Sequence, residues 1–262
     1  MSHMDMGSVT PIVAYLVACL GSALGLLSSE RARNAVGAPR NGWLTVAAVS
    51  IGGLGIWGMH FTAMLGTWMG AQVGYDIPIT LLSMLVAIVV VAIGLILALR
   101  RDGDERFWPL AAGGLVTGLG VAAMHYTGMS AIVINAEVGY DTTTVLVSIA
   151  IAVVASIAAL WFTREVSGPL AVLGASLVMG LAVTGMHYTG MHAMSVTLNE
   201  SASLIADNSE ELIMSLIIGG AGFSVLLVFL LALTSPDEER REEAELLERV
   251  LQRAESRRLG PR

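Results

Sequence analysis

Gly185-Met186-His187-Tyr188-Thr189-Gly190-Met191-His192 has two close relatives within the same chain. They are Ala123-Met124-His125-Tyr126-Thr127-Gly128-Met129 and Gly58-Met59-His60-Phe61-Thr62-Ala63-Met64. Each copy has the same lead-in: Gly53-Leu54-Gly55, Gly118-Leu119-Gly120 and Gly180-Leu181-Ala182. The shared pattern is Gly-Leu-small-x-x-small-Met-His-aromatic-Thr-small-Met. All the histidines except His3 fall in these copies. A fixed unit repeated this way marks a repeat architecture.

The solvent of that architecture follows from composition. Of 262 residues, 55% are hydrophobic and only 13% are charged, against about a quarter charged in an ordinary soluble domain. The natural medium is lipid. Seven apolar segments are long enough to cross a bilayer core of roughly 30 Å: Pro11–Leu27, Gly42–Trp68, Ile79–Leu99, Pro109–Ile134, Thr144–Phe162, Pro169–Val196 and Leu212–Leu233. None contains Asp, Glu or Arg, and the chain has no Lys. Backbone groups in lipid must be satisfied internally, so these runs are helices. Pro109 and Pro169 open two of them, where a missing N–H costs nothing. Met1–Thr10 carries no positive charge and an acid at Asp5, which is wrong for a signal peptide, so the first segment is a true span.

Arginine sets the orientation. Arg31, Arg33, Arg40, Arg100, Arg101, Arg106 and Arg164 follow odd-numbered spans, and the rest lie from Arg240 onward. The opposite loops hold Asp76, Glu137, Asp141, Glu200, Asp207, Glu210 and Glu211 and no basic residue. The positive-inside rule places the N-terminus outside and the C-terminus in the cytoplasm. No nucleic-acid footprint exists, since the arginines lie along the membrane surface.

Spans two, four and six each carry one motif. His60 and His125 are 65 positions apart, as are Gly74-Tyr75-Asp76 and Gly139-Tyr140-Asp141. The expected fold is therefore all-α: seven transmembrane helices, one leading helix plus three helical-hairpin repeats. Its parts are an outer tail (1–8), the membrane domain (9–234) and a charged cytoplasmic helical tail (235–262). From Pro109 to His125 a helix climbs about 24 Å, which puts the histidines at one level in the outer third of the membrane. Residues at i and i+4 share a helix face, so His60 stacks with Met64, His125 with Met129 and His187 with Met191. Met59, Met124 and Met186 flank that face. The small residue two before each His and the Thr two after it are expected to form a ridge that lets the motif helices approach closely.

Imidazole with thioether ligands suits copper, Cu(I) above all, whereas zinc and iron sites more often add carboxylate or thiolate. No carboxylate lies in any predicted span, and the only thiol, Cys19, is a helix away in an apolar run where packing is its role. The candidate ligands are His60, His125 and His187; then Met64, Met129 and Met191; then Met59, Met124 and Met186. His192, unique to the third copy, offers a second-site ligand or an outer entry point. Copper is the cofactor this set selects. Zinc stands behind it, as does haem held by two histidines, though haem leaves the threefold recurrence unexplained. The glycines read as packing, and Phe61 in place of Tyr shows that the phenol is not needed in every copy. No catalytic residue is assigned.

With motif, spans and topology in place, the chain resembles the MHYT integral membrane sensor domain of bacteria over about Val9 to Thr234. The resemblance implies a multi-pass protein of the bacterial inner membrane that binds copper through the motif Met and His residues near the outer face. It also implies a sensor of oxygen, carbon monoxide, nitric oxide or redox state that signals to a cytoplasmic partner. Family members are often fused to diguanylate cyclase, phosphodiesterase, histidine kinase or DNA-binding domains. None of these domains is expected within the 262 residues, so the signalling expectation rests on analogy. In the tail, Leu247, Val250, Leu251 and Ala254 make a short apolar stripe. That stripe suits the start of a signalling coiled coil, a docking helix or a solvated helical tail. Ser2-His3-Met4-Asp5-Met6 reads as a cloning remnant. The rival functions are a copper-dependent membrane oxidoreductase and a metal-dependent hydrolase acting on a lipid. The hydrolase lacks an intramembrane carboxylate to serve as base. Copper transport would want ligands at successive depths, and these share one.

Overall fold

The computed structural model of the protein describes residues 5–6, 9–68, 73–100, 107–198 and 209–233. Among them are seven helices long and apolar enough to cross a membrane. They are α1 (Thr10–Asn34), α2 (Ala38–Leu65), α3 (Ile77–Ala98), α4 (Phe107–Ser130), α5 (Thr142–Glu165), α6 (Pro169–His192) and α7 (Ser209–Leu233). The all-helical, seven-span expectation holds. The expected tail helix and its apolar stripe, residues 235–262, and residues 1–4 lie outside the described residues.

Helices α1 to α6 close a ring. Each packs on the next in chain order, and α6 returns onto α1. α7 lies against α1 and α2. The lead-in glycines make this ring tight. Residues two apart on a helix point to nearly opposite sides, so the two glycines of a lead-in admit two different neighbours. A Cβ on Gly118 would sit 2.4 Å from Cα of Val153 on α5, and one on Gly120 2.4 Å from the Val90 side chain on α3. On α6, Gly180 meets Cys19 of α1 in the same way, at 2.5 Å from Sγ. Cys19 is thus a packing residue at the seam that closes the ring. The intervening Leu119 and Leu181 face outward, 49% and 67% exposed, as lipid-facing side chains do.

Two features differ from the sequence reading. α1 runs past Leu27 to Asn34 and takes Glu30 and Arg31 into buried positions. The reason is local: the Arg31 guanidinium lies 5.5 Å over the Trp43 ring. Nearby, Arg33 donates to the carbonyls of Thr163 and Val166 and to Ser167 Oγ, and Arg40 to the carbonyl of Leu99. These cations satisfy carbonyls at the C-terminal ends of α5 and α3, which have no intrahelical partner. The second difference is in α2, whose Val49–Gly58 stretch is π-helical. Such stretches are rare and concentrate at functional sites. This one ends one residue before Met59 and His60.

The opposite end carries three short antiparallel strand pairs: β1 (Asp5–Met6) with β2 (Thr67–Trp68), β3 (Gly74–Tyr75) with β4 (Ile132–Val133), and β5 (Ala136–Tyr140) with β6 (Met194–Leu198). Each motif helix therefore leads into a strand that pairs with the strand preceding α1, α3 or α5. Asp76 and Asp141 then cap α3 and α5, their carboxylates accepting from the backbone N–H of Ile79 at 2.9 Å and Thr144 at 2.8 Å. Their own N–H groups donate to the carbonyls of Ala131 and Ala193, each six residues past a motif histidine. The 65-residue repeat in sequence is thus repeated in its capping and its strand pairing.

Candidate metal centre

The three motif helices bring His60, His125 and His187 to a single point. Nδ1 of His60 lies 3.0 Å from Nδ1 of His187 and 3.2 Å from Nδ1 of His125. The rings stand at 84–87° to one another with centroids 4.9–5.1 Å apart, a three-bladed propeller. Each also meets the following aromatic edge-on: Phe61 at 4.8 Å, Tyr126 at 4.8 Å and Tyr188 at 5.0 Å. The imidazoles are 0–1% exposed.

Glycine makes this convergence possible. Three residues after each histidine stand Ala63, Gly128 and Gly190. A Cβ on Gly128 would lie 2.6 Å from Nε2 of His60, and one on Gly190 2.3 Å from Nε2 of His125. The close approach therefore runs through the position three after His. The expected ridge, two before and two after, is not the contact in the second and third copies: Ala123 and Gly185 are exposed. At about 100° per residue, a two-residue step turns about 200° away from the histidine, while a three-residue step returns to within about 60° of it. The motif glycines are packing residues, as expected, but at a position that the sequence reading did not single out. Their recurrence as Ala/Gly/Gly was the signal available.

Met59, Met64, Met124, Met129, Met186 and Met191 are all buried, 1–3% exposed. Met59 packs with Ala14, Val17, Ala18 and Leu54, whereas the other five belong to the main core. His192 is exposed at the end of α6 and stands apart from the other three. One turn before the histidines, Ile56, Val121 and Val183 line a cavity of about 50 Å³ whose wall includes Met186, Ser22 and Ser156. At the strand-bearing end the Tyr75 hydroxyl has its pKa raised by burial and by the charge of Glu210. The Asp141 carboxyl is held below its usual range by donation from Thr144 Oγ1 and N–H.

The donor chemistry fits a metal ion. A neutral imidazole Nδ1 either donates one proton or offers one lone pair, so one proton or one lone pair on His60 must serve both neighbours. The three Nε2 atoms are buried with no hydrogen-bond partner among the described residues. A cation would accept all three Nδ1 lone pairs at once, and the spacing is compatible with metal–nitrogen bonds of about 2.0–2.1 Å. The group can therefore hold a metal. With Nδ1 turned inward, the rings of His60 and His125 press Nε2 against the helix backbone at Gly128 and Gly190.

The sequence has relatives among bacterial signalling proteins. The family model MHYT, described as a bacterial signalling protein N-terminal repeat, matches residues 53–108 and 118–176. The bifunctional diguanylate cyclase/cyclic di-GMP phosphodiesterase MucR of Pseudomonas aeruginosa is 43% identical over 184 residues, 68% of this chain and 26% of that protein. The cyclic di-GMP phosphodiesterase NbdA of the same organism is 36% identical over 190 residues, 70% of this chain and 24% of that protein. An uncharacterized signaling protein of Caulobacter vibrioides is 31% identical over 242 residues, 91% of this chain and 29% of that protein. The chain spans about a quarter of the length of these relatives. No solved structure matches.

Proposed function

Because the chain belongs to the MHYT family of bacterial signalling proteins, we propose that it is a membrane sensor that holds copper at His60, His125 and His187 and reports a diatomic gas or redox state to cyclic di-GMP signalling in the cytoplasm. The observation that carries this reading is the convergence of three buried imidazole nitrogens from three helices with no carboxylate among them. Neutral nitrogen and thioether donors favour a soft monovalent ion, whose desolvation costs less than that of a divalent one. Bound there, copper would supply reversible redox chemistry and affinity for small diatomic ligands.

The residues have distinct tasks. The Nδ1 lone pairs of the three histidines bind. The motif methionines, Met64, Met129 and Met191 one turn beyond the histidines and Met59, Met124 and Met186 beside them, supply further soft donors. Exposed His192 remains a candidate for a second site. Ile56, Val121 and Val183 exclude water, and the cavity they line has room for a molecule of diatomic size. Since each histidine stands on a different helix, any change in their spacing moves α2, α4 and α6 against one another. α7, packed on α1 and α2, carries such a shift toward the cytoplasm. The positive-inside pattern supports an inner-membrane protein with the N-terminus outside and the C-terminus in the cytoplasm. A hydrolase is the weaker reading, because the centre offers no carboxylate to act as base.

The test is elemental analysis of the purified protein beside the triple variant His60→Ala, His125→Ala, His187→Ala. We expect about one copper per chain in the native protein and less than about a tenth of that in the variant, the loss expected when every imidazole ligand is removed. Infrared spectra under carbon monoxide then read ligand binding. Zinc or iron in place of copper, or copper retained by the variant, would overturn the reading.

A further inference from the structure

The three strand junctions are related by the repeat, yet one differs in a way that bears on how an ion reaches so buried a centre. The residue seven after each motif histidine opens the strand that follows it: Thr67, Ile132 and Met194. Its paired residue is Met6, Tyr75 and Tyr140 respectively. At the β3–β4 junction, Tyr75 is driven inward. It is 2% exposed, its ring lies 5.7 Å from Phe61, and its N–H donates to Ser209 Oγ at 3.0 Å. The junction is plugged.

At the β5–β6 junction the equivalent Tyr140 is 43% exposed and rests at the rim, 5.9 Å from Tyr126. A pocket of about 270 Å³ opens beneath it, lined by Met129, Ser130, Ile132, Ile134, Tyr140 and Met194 among others. Met129 lies one helical turn beyond His125, on the same face. Met194 is buried, and it stands where the other two copies carry Ile and Thr. Of the two junctions that carry a tyrosine, the one it leaves open is thus the one with a thioether paired to it. Among the described residues, no carboxylate, imidazole or amine lines it, so these residues offer soft donors and nothing that would retain a divalent ion. His192 does not line it.

We infer that this pocket is the entry port for a soft monovalent cation, with Met194 as first ligand and Met129 passing the ion to His125. The inference rests on the metal reading of the three histidines. Ag(I), a redox-inert stand-in for Cu(I), is the probe. Its rate of uptake by the purified full chain is followed by competition with a chromophoric chelator, and its final stoichiometry by elemental analysis. Met194→Leu, which keeps the apolar volume, is expected to slow uptake at least about tenfold, the scale of losing one supporting ligand, with the same final stoichiometry. Ser130→Trp keeps both thioethers but fills the opening, and is expected to slow uptake as well. Native-like uptake rates in both Met194→Leu and Ser130→Trp would overturn the port while leaving the metal centre standing. Ag(I) uptake unaffected by His60→Ala would instead remove the centre, and the port with it.

Discussion

His60 is the hub of the centre: its Nδ1 is the atom within 3.0–3.2 Å of both other imidazoles. The rings can come so near because two of the three positions following them lack a Cβ. Gly190→Ala would place a methyl group 2.3 Å from Nε2 of His125. A ring packed at 1% exposure has nowhere to retreat, so overpacking of about 1–3 kcal/mol falls on the site itself. We expect Gly190→Ala to lower metal content severalfold. Gly185→Ala, whose new Cβ meets nothing within 4 Å, should leave it unchanged; equal metal content in the two variants would refute this account. The meeting of the three histidines was legible in the sequence, because helical periodicity alone assigns a face. Which ring nitrogen points inward was not, since that depends on what presses on the far side of each ring. Met194 and Tyr140 were illegible for a related reason. They lie beyond the motif, and their difference from Ile132 and Tyr75 means something only once the strands are paired.

Among the elements, the caps repeat as faithfully as the histidines do. Asp141 accepts from both Thr144 Oγ1 and Thr144 N–H at 2.7 and 2.8 Å, which favours its ionised form and lowers its pKa. A carboxyl whose folded pKa is depressed stabilises fully above its unfolded value, about 3.9, and loses that contribution as pH falls through the folded one. The gap in thermal midpoint between the native protein and Asp141→Ala should therefore be constant from pH 7 to 5 and shrink below about pH 4. A gap that persists unchanged to pH 3 would show that the carboxylate is not the capping species. Helix number, type and approximate limits were readable because apolar runs in lipid admit few alternatives. The π-helical stretch of α2 was not. A glycine-rich run is compatible with either winding, and the choice is made by packing against α1 and α3. The lead-in glycines were visible as a motif, but their division of labour between two neighbouring helices needed the ring.

At the scale of the molecule, charge is sorted by end: arginines close the C-termini of α3 and α5, while the strand pairs and the histidines lie toward the other. The proposed orientation predicts that Val138→Cys, on exposed β5, reacts with a membrane-impermeant maleimide in spheroplasts. Val36→Cys, between α1 and α2 and also exposed, should react only after permeabilisation. Cys19 is buried and leaves little background; the reverse labelling pattern would invert the topology. The closed ring has one further consequence, for the order of assembly. His60 and His187 are 127 residues apart in the chain, and α6 must return to α1 before they can meet. During synthesis the first two histidines wait, unfinished, until the sixth helix has entered the bilayer. Long-range closures of this kind come late and are costly in chain entropy. An ion bound by the three rings would thus act as a clasp on the joint that closes the ring, and its occupancy would report that the six-helix ring has formed.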